Sequence, residues 1–399
     1  MNNLKENSID LTDIKFITRA VHEKTLKRSQ VTAGNVVFAI SGTKDNLGTV
    51  SIVPEFIKEA NLNSALVRLD LDDSKIDKKY FCLLFSLRFV REQIDYIGKG
   101  AAQNNLNNEE ISQIQIPLPT MKEQAEIVAI FEKAKISKKQ KEAEAAALLA
   151  SIDGYLLQEL GITLSSVSEK KAFFIASSKQ LSGNRFDPFY HQTEFDKNRT
   201  VVKNGQYEAI PLKQLVEKLV KGKLPKDTEK DGDLNVIQIN SIAPDGHIDI
   251  SDLLTAKEIF TSEQKMQKND VLVVITGATI GKIAIWELEA SDDYYLGGDI
   301  VKFQCRKDIN PYFVFAWLRC QNSQIEIKRN VTGATNGHLS PSDIGNILIP
   351  CPSIEKQTKI ANHISALRTQ AKHKQQQAAT ELEQAKQQVE KLILGESKP

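Results

Sequence analysis

Cysteine is scarce in this chain of 399 residues: Cys82, Cys305, Cys320 and Cys351 stand far apart, with no Cys-x-x-Cys pair. That excludes a disulfide framework or a zinc ribbon and fits buried thiols in a reducing cytosol. Long apolar runs are missing too; none approaches the ~18 residues that span a membrane. The opening Met1-Asn-Asn-Leu-Lys-Glu-Asn lacks the apolar core of a signal peptide, so a soluble, cytoplasmic protein is expected. The six histidines (His22, His191, His247, His338, His363, His373) show no ligand spacing, and no bound metal is expected. Excess charge is also absent, with 52 Lys+Arg against 51 Asp+Glu and a net charge of +1. Residues 1–119 hold 15 basic and 15 acidic groups, and residues 165–352 hold 23 and 24, so neither part is basic. Stand-alone nucleic-acid binders are usually visibly basic, so any such role must rest on local charge placement or on a basic partner.

What is present is a duplication. Ile116-Pro-Leu-Pro-Thr-Met-Lys-Glu-Gln124 returns 233 positions later as Ile349-Pro-Cys-Pro-Ser-Ile-Glu-Lys-Gln357. At the same offset Gly100-Ala101 meets Gly333-Ala334, Leu106 meets Leu339, Ile111 meets Ile344 and Ile127 meets Ile360. Upstream, Val36-Val-Phe-Ala-Ile-Ser-Gly42 answers Val271-Leu-Val-Val-Ile-Thr-Gly277. Several strings in one order exclude chance and mark two structural units.

Each repeat carries short Val/Ile runs punctuated by Gly, Asn and Asp, the pattern of strands and turns. Each closes on Ile-Pro-x-Pro, where proline ends a strand. A proline-free stretch rich in Ala, Glu, Gln, Lys and Leu follows, roughly 120–160 and 354–394, stopping at Leu160-Gly161 and Leu394-Gly395. Spacings of four and three run through Ile127, Phe131, Ala134, Lys138, Lys141, Ala145, Leu148, Ile152 and Tyr155. The second stretch repeats them in Ile360, Ile364, Leu367, Ala371, Lys374, Ala378, Leu382, Ala385, Val389 and Leu392. These are heptad seams, and they predict two long helices that pair antiparallel. Ile127, Phe131, Leu148, Ile152, Ile360, Ile364, Leu367, Leu382 and Val389 are the expected interface residues.

No motif supplies catalysis. Gly277-Ala-Thr-Ile-Gly281-Lys282 is one residue short of a phosphate-binding loop and is followed by Ile283, so it reads as strand–turn–strand. Asp187-Pro-Phe-Tyr190 and Asn310-Pro-Tyr-Phe313 resemble the substrate loop of adenine methyltransferases but lack its second proline, and no cofactor-binding glycine loop accompanies them. No Ser or Cys sits in a nucleophile motif. What remains is a paired set of polar loops. Repeat one contributes Thr43 and Lys44, then Lys99, Gln103, Asn104 and Asn105. Repeat two contributes Thr279 and Lys282, then Lys328, Arg329, Thr335, Asn336 and His338. Asn, Gln and Arg read base edges, while Lys, Ser and Thr hold phosphates. The plain alternative is that these are ordinary solvated turns.

In this order, occurring twice, the layout resembles the specificity subunit of a type I restriction–modification enzyme over roughly residues 14–395. The resemblance rests on the strands before Gly42 and Gly277, the Gly100–Leu106 and Gly333–Leu339 stretches, and the Ile-Pro-x-Pro-x-x-x-x-Gln elements with their helices; Arg185-Phe-Asp-Pro-Phe-Tyr190 also resembles the opening of such recognition domains. It implies an α+β fold with a pseudo-twofold duplication. A first target-recognition domain covers 1–119 and its spacer helix 120–161; a second domain covers 162–352, with the second helix and tail in 353–399. It further implies double-stranded DNA as ligand, two modification subunits as partners, and restriction or translocase subunits in the larger assembly. S-adenosylmethionine, ATP and Mg would belong to those partners, with no cofactor or catalysis on this chain.

One departure stands out. Repeat two has an opening segment from Tyr207 to Pro225 ahead of the expected strand Val236–Ile239, whereas repeat one starts at the expected strand Ile14–Ile17. The first recognition domain is therefore shortened, or completed by another chain. A different class of function, a two-headed coiled-coil adaptor that binds proteins and not DNA, fits the same layout.

Overall fold

The computed structural model describes residues 3–5, 8–12, 14–97, 104–163, 186–257, 259–289, 293–333 and 337–395. The chain divides into two units, Met1–Ala145 with Lys372–Pro399, and Ala146–Ala371. Both boundaries fall inside the long helices, so each helix contributes to both units.

In the first unit, β1 (Leu4–Lys5) and β2 (Ser8–Ile9) form a hairpin, and β3 (Gln30–Val31) precedes the central strand β4 (Val36–Ala39). All four residues of β4 are buried, as expected of an uninterrupted Val-Val-Phe-Ala run. β5 (Ser41–Gly42), β6 (Val50–Ile52), β7 (Ala60–Asn61) and β8 (Leu66–Leu69) follow. The main sheet has the order β6-β4-β8, antiparallel throughout, and β3 pairs β7. Then come α1 (Lys78–Leu84), α2 (Arg88–Ile97), β9 (Asn104–Asn105), α3 (Asn108–Ser112) and α4 (Met121–Glu159). One face of the sheet packs Val36 and Phe38 against Tyr80, Leu84, Val90, Ile94, Ile127 and Phe131. The other gathers Leu4, Val31, Val37, Ala39 and Val53. The expected strand Ile14–Ile17 is absent: this stretch has no regular structure, and Phe16 is 89% exposed. Alternation over four residues is a weak signal, and the stretch lies along a groove with Val31, Phe56 and Leu66 without joining the sheet.

The second unit is more fully built. Ahead of its core lie α5 (Thr193–Lys203), β10 (Ala209–Pro211), β11 (Val216–Lys221), β12 (Lys230–Ile237) and β13 (Leu254–Ala256). Its core contains β14 (Val271–Val274), β15 (Ile283–Ile285), β16 (Tyr294–Leu296) and β17 (Ile300–Cys305). The helices α6 (Pro311–Arg319), α7 (Gln321–Asn330) and α8 (Pro341–Gly345) lead to β18 (Leu348–Pro350) and α9 (Ile354–Leu394). The main sheet runs β11-β17-β14-β15, a second runs β13-β12-β16, and β10 pairs β18. In sequence terms β15-β14-β17 repeats β6-β4-β8. Among the described residues, α5 and β10 to β13 have no counterpart in the first unit.

The long helices follow their seams. In the first unit Ile127, Phe131 and Val389 are buried in one core, with Leu382 half-buried against it. Ser137 and Lys141 both reach Glu381 at 2.8 Å, and Lys374 meets Glu144 at 2.5 Å. In the second unit Ile360 and Ile364 are buried with Ile152 packed against them, while Leu148 and Leu367 are half-buried. Tyr155 lies over His363 with ring centroids 4.0 Å apart, and Lys356 pairs with Glu159. Both sets of contacts run antiparallel. Ala145, Ala371, Ala378 and Ala385 are buried, the small residues that let helices approach closely. Past Val389 the contact passes to Ile393, half-buried against the same core, and Leu392 is 36% exposed.

The proline element is built on the same two bonds in both units. Gln124, fully buried, accepts from the Asp77 N–H at 2.8 Å and donates to the Lys75 and Pro119 carbonyls at 2.9 Å. Gln357 accepts from the Asn310 N–H at 2.9 Å and donates to the Pro352 carbonyl at 2.9 Å. Asp77 and Asn310 in turn cap α1 and α6. The glutamine thus ties the start of the long helix to the cap of an earlier helix of the same unit, α1 or α6. Asp77 and Asn310 are themselves 233 positions apart.

Among the described residues no helix is long and apolar enough to cross a membrane. Cys82 and Cys320 are buried and Cys305 and Cys351 half-buried; burial pushes the first three thiols up to about 12.

Candidate nucleic-acid interface

The polar loops singled out in each repeat are joined by the same backbone bonds. In the first unit β4 leads into β5, which pairs antiparallel with β9: Ser41 opposite Asn105, Gly42 opposite Asn104. The Leu106 N–H then donates to the Ile40 carbonyl at 2.8 Å. In the second unit Thr276 bridges His338, and the Leu339 N–H donates to the Ile275 carbonyl at 2.9 Å. Each first loop is closed by a glycine, Gly48 onto Ala39 and Gly281 onto Val274. Both glycines have φ near +80° (+73° and +84°), where a side chain is strained, and a Cβ would strike Ile94 and Ile327 respectively. Ile94 and Ile327 are also 233 positions apart.

Within this frame the candidate residues divide. Thr43, Lys44 and Asn105 are exposed. Thr43 anchors its own loop, accepting from Asn46 Nδ2 at 3.1 Å, and the Lys44 ammonium lies 3.4 Å from Asp95. Thr279 and Lys328 are exposed on the second unit, with the Lys328 ammonium 5.8 Å from the centre of the Phe189 ring. His338 is half-buried, its backbone paired with Thr332 on one side and Thr276 on the other. Lys99, Gln103, Thr335 and Asn336 lie outside the described residues, as does the side chain of Asn104.

Two of the expected phosphate or base contacts have other partners. Lys282 is half-buried and donates to the Ile242 carbonyl at 2.8 Å. Arg329 is 6% exposed, donates to the Tyr190 carbonyl, pairs with Asp196 at 2.8 Å and stacks 4.3 Å from the Tyr190 ring centre. Both cations thus hold loops together within the second unit.

Sequence reasoning missed the side chains that brace the loops. Arg91 on α2 donates to the Leu47 carbonyl at 2.6 Å and the Lys44 carbonyl at 3.1 Å. Gln324 on α7 donates to the Gly281 carbonyl at 3.0 Å. These residues are again 233 positions apart, so the repeat offset itself was the signal that could have found them. Phe186, 74% exposed, and Phe189 were visible in the Arg-Phe-Asp-Pro-Phe-Tyr string but not weighed as stacking surfaces. Phe189, Ile280, Gln324, Lys328 and Thr332 line an open groove beside the Gly277–Gly281 loop. An aromatic face with an adjacent ammonium suits flat, anionic polymers.

Comparison with known proteins accounts for this arrangement. The family model described as "Type I restriction modification DNA specificity domain" matches residues 4–146 and 204–384. The type I restriction enzyme MjaX specificity subunit of Methanocaldococcus jannaschii is 21% identical over 405 residues, covering 98% of this chain and 84% of that protein. The EcoBI specificity subunit of Escherichia coli is 24% identical over 317 residues, covering 77% and 62%. A chain solved in work on complex assembly and conformational transition of the type I R-M system superposes with a TM-score of 0.54 at 15% identity, covering 91% and 82%, which speaks for the fold. With the family's domain matched on both repeats, this chain belongs to the DNA specificity subunits of type I restriction–modification systems.

Proposed function

We propose that each unit reads one half of a split DNA site and that the two long helices set the spacing between the halves. The carrying observation is the loop frame. The same backbone bonds hold Ser41–Gly42 to Asn104–Asn105 and Thr276 to His338, while the exposed side chains differ. A constant frame with variable side chains is what two unlike half-sites require. The antiparallel seams supply a rod of ~1.5 Å per residue, long enough to act as a ruler. The near-neutral chain has little charge for phosphate contacts. The assembly would supply it: two modification subunits with S-adenosylmethionine, and restriction subunits with ATP and Mg. This chain would position them without catalysing a step.

The test is to express the chain with its modification subunit and map N6-methyladenine across the genome. A bipartite motif with a fixed spacer is expected. Asn105→Ala should relax one half and His338→Ala the other. A continuous motif, or two variants that alter the same half, would overturn the reading. The chain alone should bind DNA weakly and lose it with added salt. An adaptor that ignores DNA would show no shift in either preparation.

A further inference from the structure

Three cations of the second unit line one turn, and among the described residues none of them is paired with a carboxylate. The turn runs from Ile242 to Ile248, which bridge each other, and the Ala243 N–H closes it on the His247 carbonyl at 2.8 Å. Pro244, Asp245 and His247 are exposed on it. Lys282 donates to the Ile242 carbonyl, Arg319 to the Pro244 carbonyl at 3.0 Å and Arg368 to the Asp245 carbonyl at 2.9 Å. Arg319 also reaches the Ile283 carbonyl at 3.2 Å, where β15 leaves the Gly277–Gly281 loop. The two guanidinium groups stand 5.4 and 4.6 Å from the centre of one ring, Phe315. Gly246 permits the approach: at φ +84°, a Cβ there would lie 2.8 Å from Arg319 Nη1 and 2.9 Å from Phe315 Cε2.

Arg319 and Arg368 are half-buried, and like charges held around one ring are unfavourable unless an anion joins them. The acids that act on them have other bonds or face solvent. Asp245 accepts from the His247 N–H and Asp153 from the Gln321 N–H, each at 3.0 Å, and Glu287 is exposed. Burial, then the Arg368 charge, pull the Arg319 guanidinium down to about 10, and burial lowers Arg368 too. The pair is not part of the repeated frame. At the offset of 233 the first unit has Ser86, which donates to its own Leu83 carbonyl, and Lys135, paired with Glu132 at 3.2 Å. We infer that Arg319 and Arg368 together bind one phosphate of the DNA backbone, beside the Gly277–Gly281 loop. This rests on the DNA reading proposed above, and it places locally the positive charge that a chain of net charge +1 lacks overall. Planar guanidinium forks match phosphate oxygens in pairs. A partner's carboxylate would meet the same donors, but the adjoining loop favours DNA.

The test titrates the complex of this chain with its modification subunit by anisotropy, using a duplex with its mapped site and a random-sequence duplex, at about 50 to 200 mM salt. Arg319→Gln and Arg368→Gln should each weaken binding to both duplexes about tenfold and lower the slope of log affinity against log salt by about one. The double variant should lower it no further, since both arginines serve one phosphate. Arg368→Lys should keep the slope and lose part of the affinity. Lys135→Gln, at the matching position of the first unit, should change neither. In a methylphosphonate scan the affinity lost in Arg368→Lys should vanish at one neutralised phosphate and persist at all others, a result that stands should the glutamine variants not fold. A loss that persists at every position, or an unaltered slope in both glutamine variants, would overturn the proposal and leave the DNA reading intact. A wild-type complex that binds no DNA would overturn both. Release of the modification subunit from the glutamine variants at an unaltered slope would assign the pair to a partner's carboxylate instead.

Discussion

Lys302 in the second unit and Arg68 in the first stand at the same place on the central sheet, and their surroundings could hardly differ more. Lys302 is 5% exposed, bonded to the Lys265 carbonyl and 2.7 Å from Asp270, itself fully buried. The Arg68 side chain is 44% exposed and meets an exposed Asp70 at 3.2 Å and the Gln30 carbonyl. Asp270 is replaced by Asn35, which keeps the same turn by accepting from Thr32 as Asp270 accepts from Gln267. The skeleton is common to both units; the covering segments decide whether a charge at this point is an internal tie or a surface group.

The largest effect that separates the units is expected at this pair. Lys302→Met leaves a buried carboxylate without its counter-charge and should remove about 3–5 kcal/mol from the second unit. Arg68→Met should change the first by less than about 1 kcal/mol. Urea unfolding with peptide-resolved hydrogen exchange would assign each loss to its unit. Burial pushes the Asp270 carboxyl above its usual value, with Lys302 pulling part of it back. A raised carboxyl pKa favours the fold below the unfolded value and disfavours it as pH rises through the folded one. The Lys302→Met defect should therefore shrink on acidification, and a defect independent of pH would contradict the pairing.

Next in size come the glutamine ties, where the units should behave alike. Gln124→Ala leaves the Asp77 N–H and two carbonyls without their partner, Gln357→Ala the Asn310 N–H and one carbonyl, and each should cost about 2–3 kcal/mol. A large inequality between them would mean that the shared N–H and proline-carbonyl bonds do not carry the tie. The loop glycines should differ modestly. A Cβ at Gly48 would lie 2.4 Å from Ile94 Cδ1, whereas at Gly281 it would lie 3.0 Å from Ile327 Cγ2. Gly48→Ala should thus lose about 1–2 kcal/mol more than Gly281→Ala, read from thermal melts of the two variants.

The smallest effect belongs to the helix pairs. Lys141 and Ser137 hold the Glu381 carboxyl below the usual carboxylate range, and Lys374 and Gln140 do the same for Glu144. A depressed carboxyl pKa contributes stability above the unfolded value and loses it as pH falls through the folded one. Acidification below about pH 4.5 should loosen these contacts. Lys141→Glu should weaken helix pairing slightly, and adding Glu381→Lys should restore it, in a double-mutant cycle monitored by helix amide exchange.

Much of the fold was legible because it is periodic. The heptad seams placed Ile127, Phe131, Ile360, Ile364 and Val389 in the cores, and the offset of 233 aligned the loops. Ile14–Ile17 failed because alternation over four residues does not by itself make a strand. Leu392 failed because the step after Val389 is four residues, to Ile393, and not three.

Composition and periodicity by themselves determined the duplication, the two long helices, the proline-terminated strands and the polar loops between them. These follow from local spacing, which dictates which face of each element is apolar. Only the tertiary structure decided which of the loop cations bond within the fold. In sequence, Lys282 and Arg329 resemble Lys44 and Lys328. Their carbonyl and carboxylate partners, Ile242 and Asp196, lie 40 and 133 positions away, and no local pattern encodes a partner at that distance. The same holds for the open edge at Arg68. Among the described residues, none pairs with that edge as Val216–Lys221 pairs with β17.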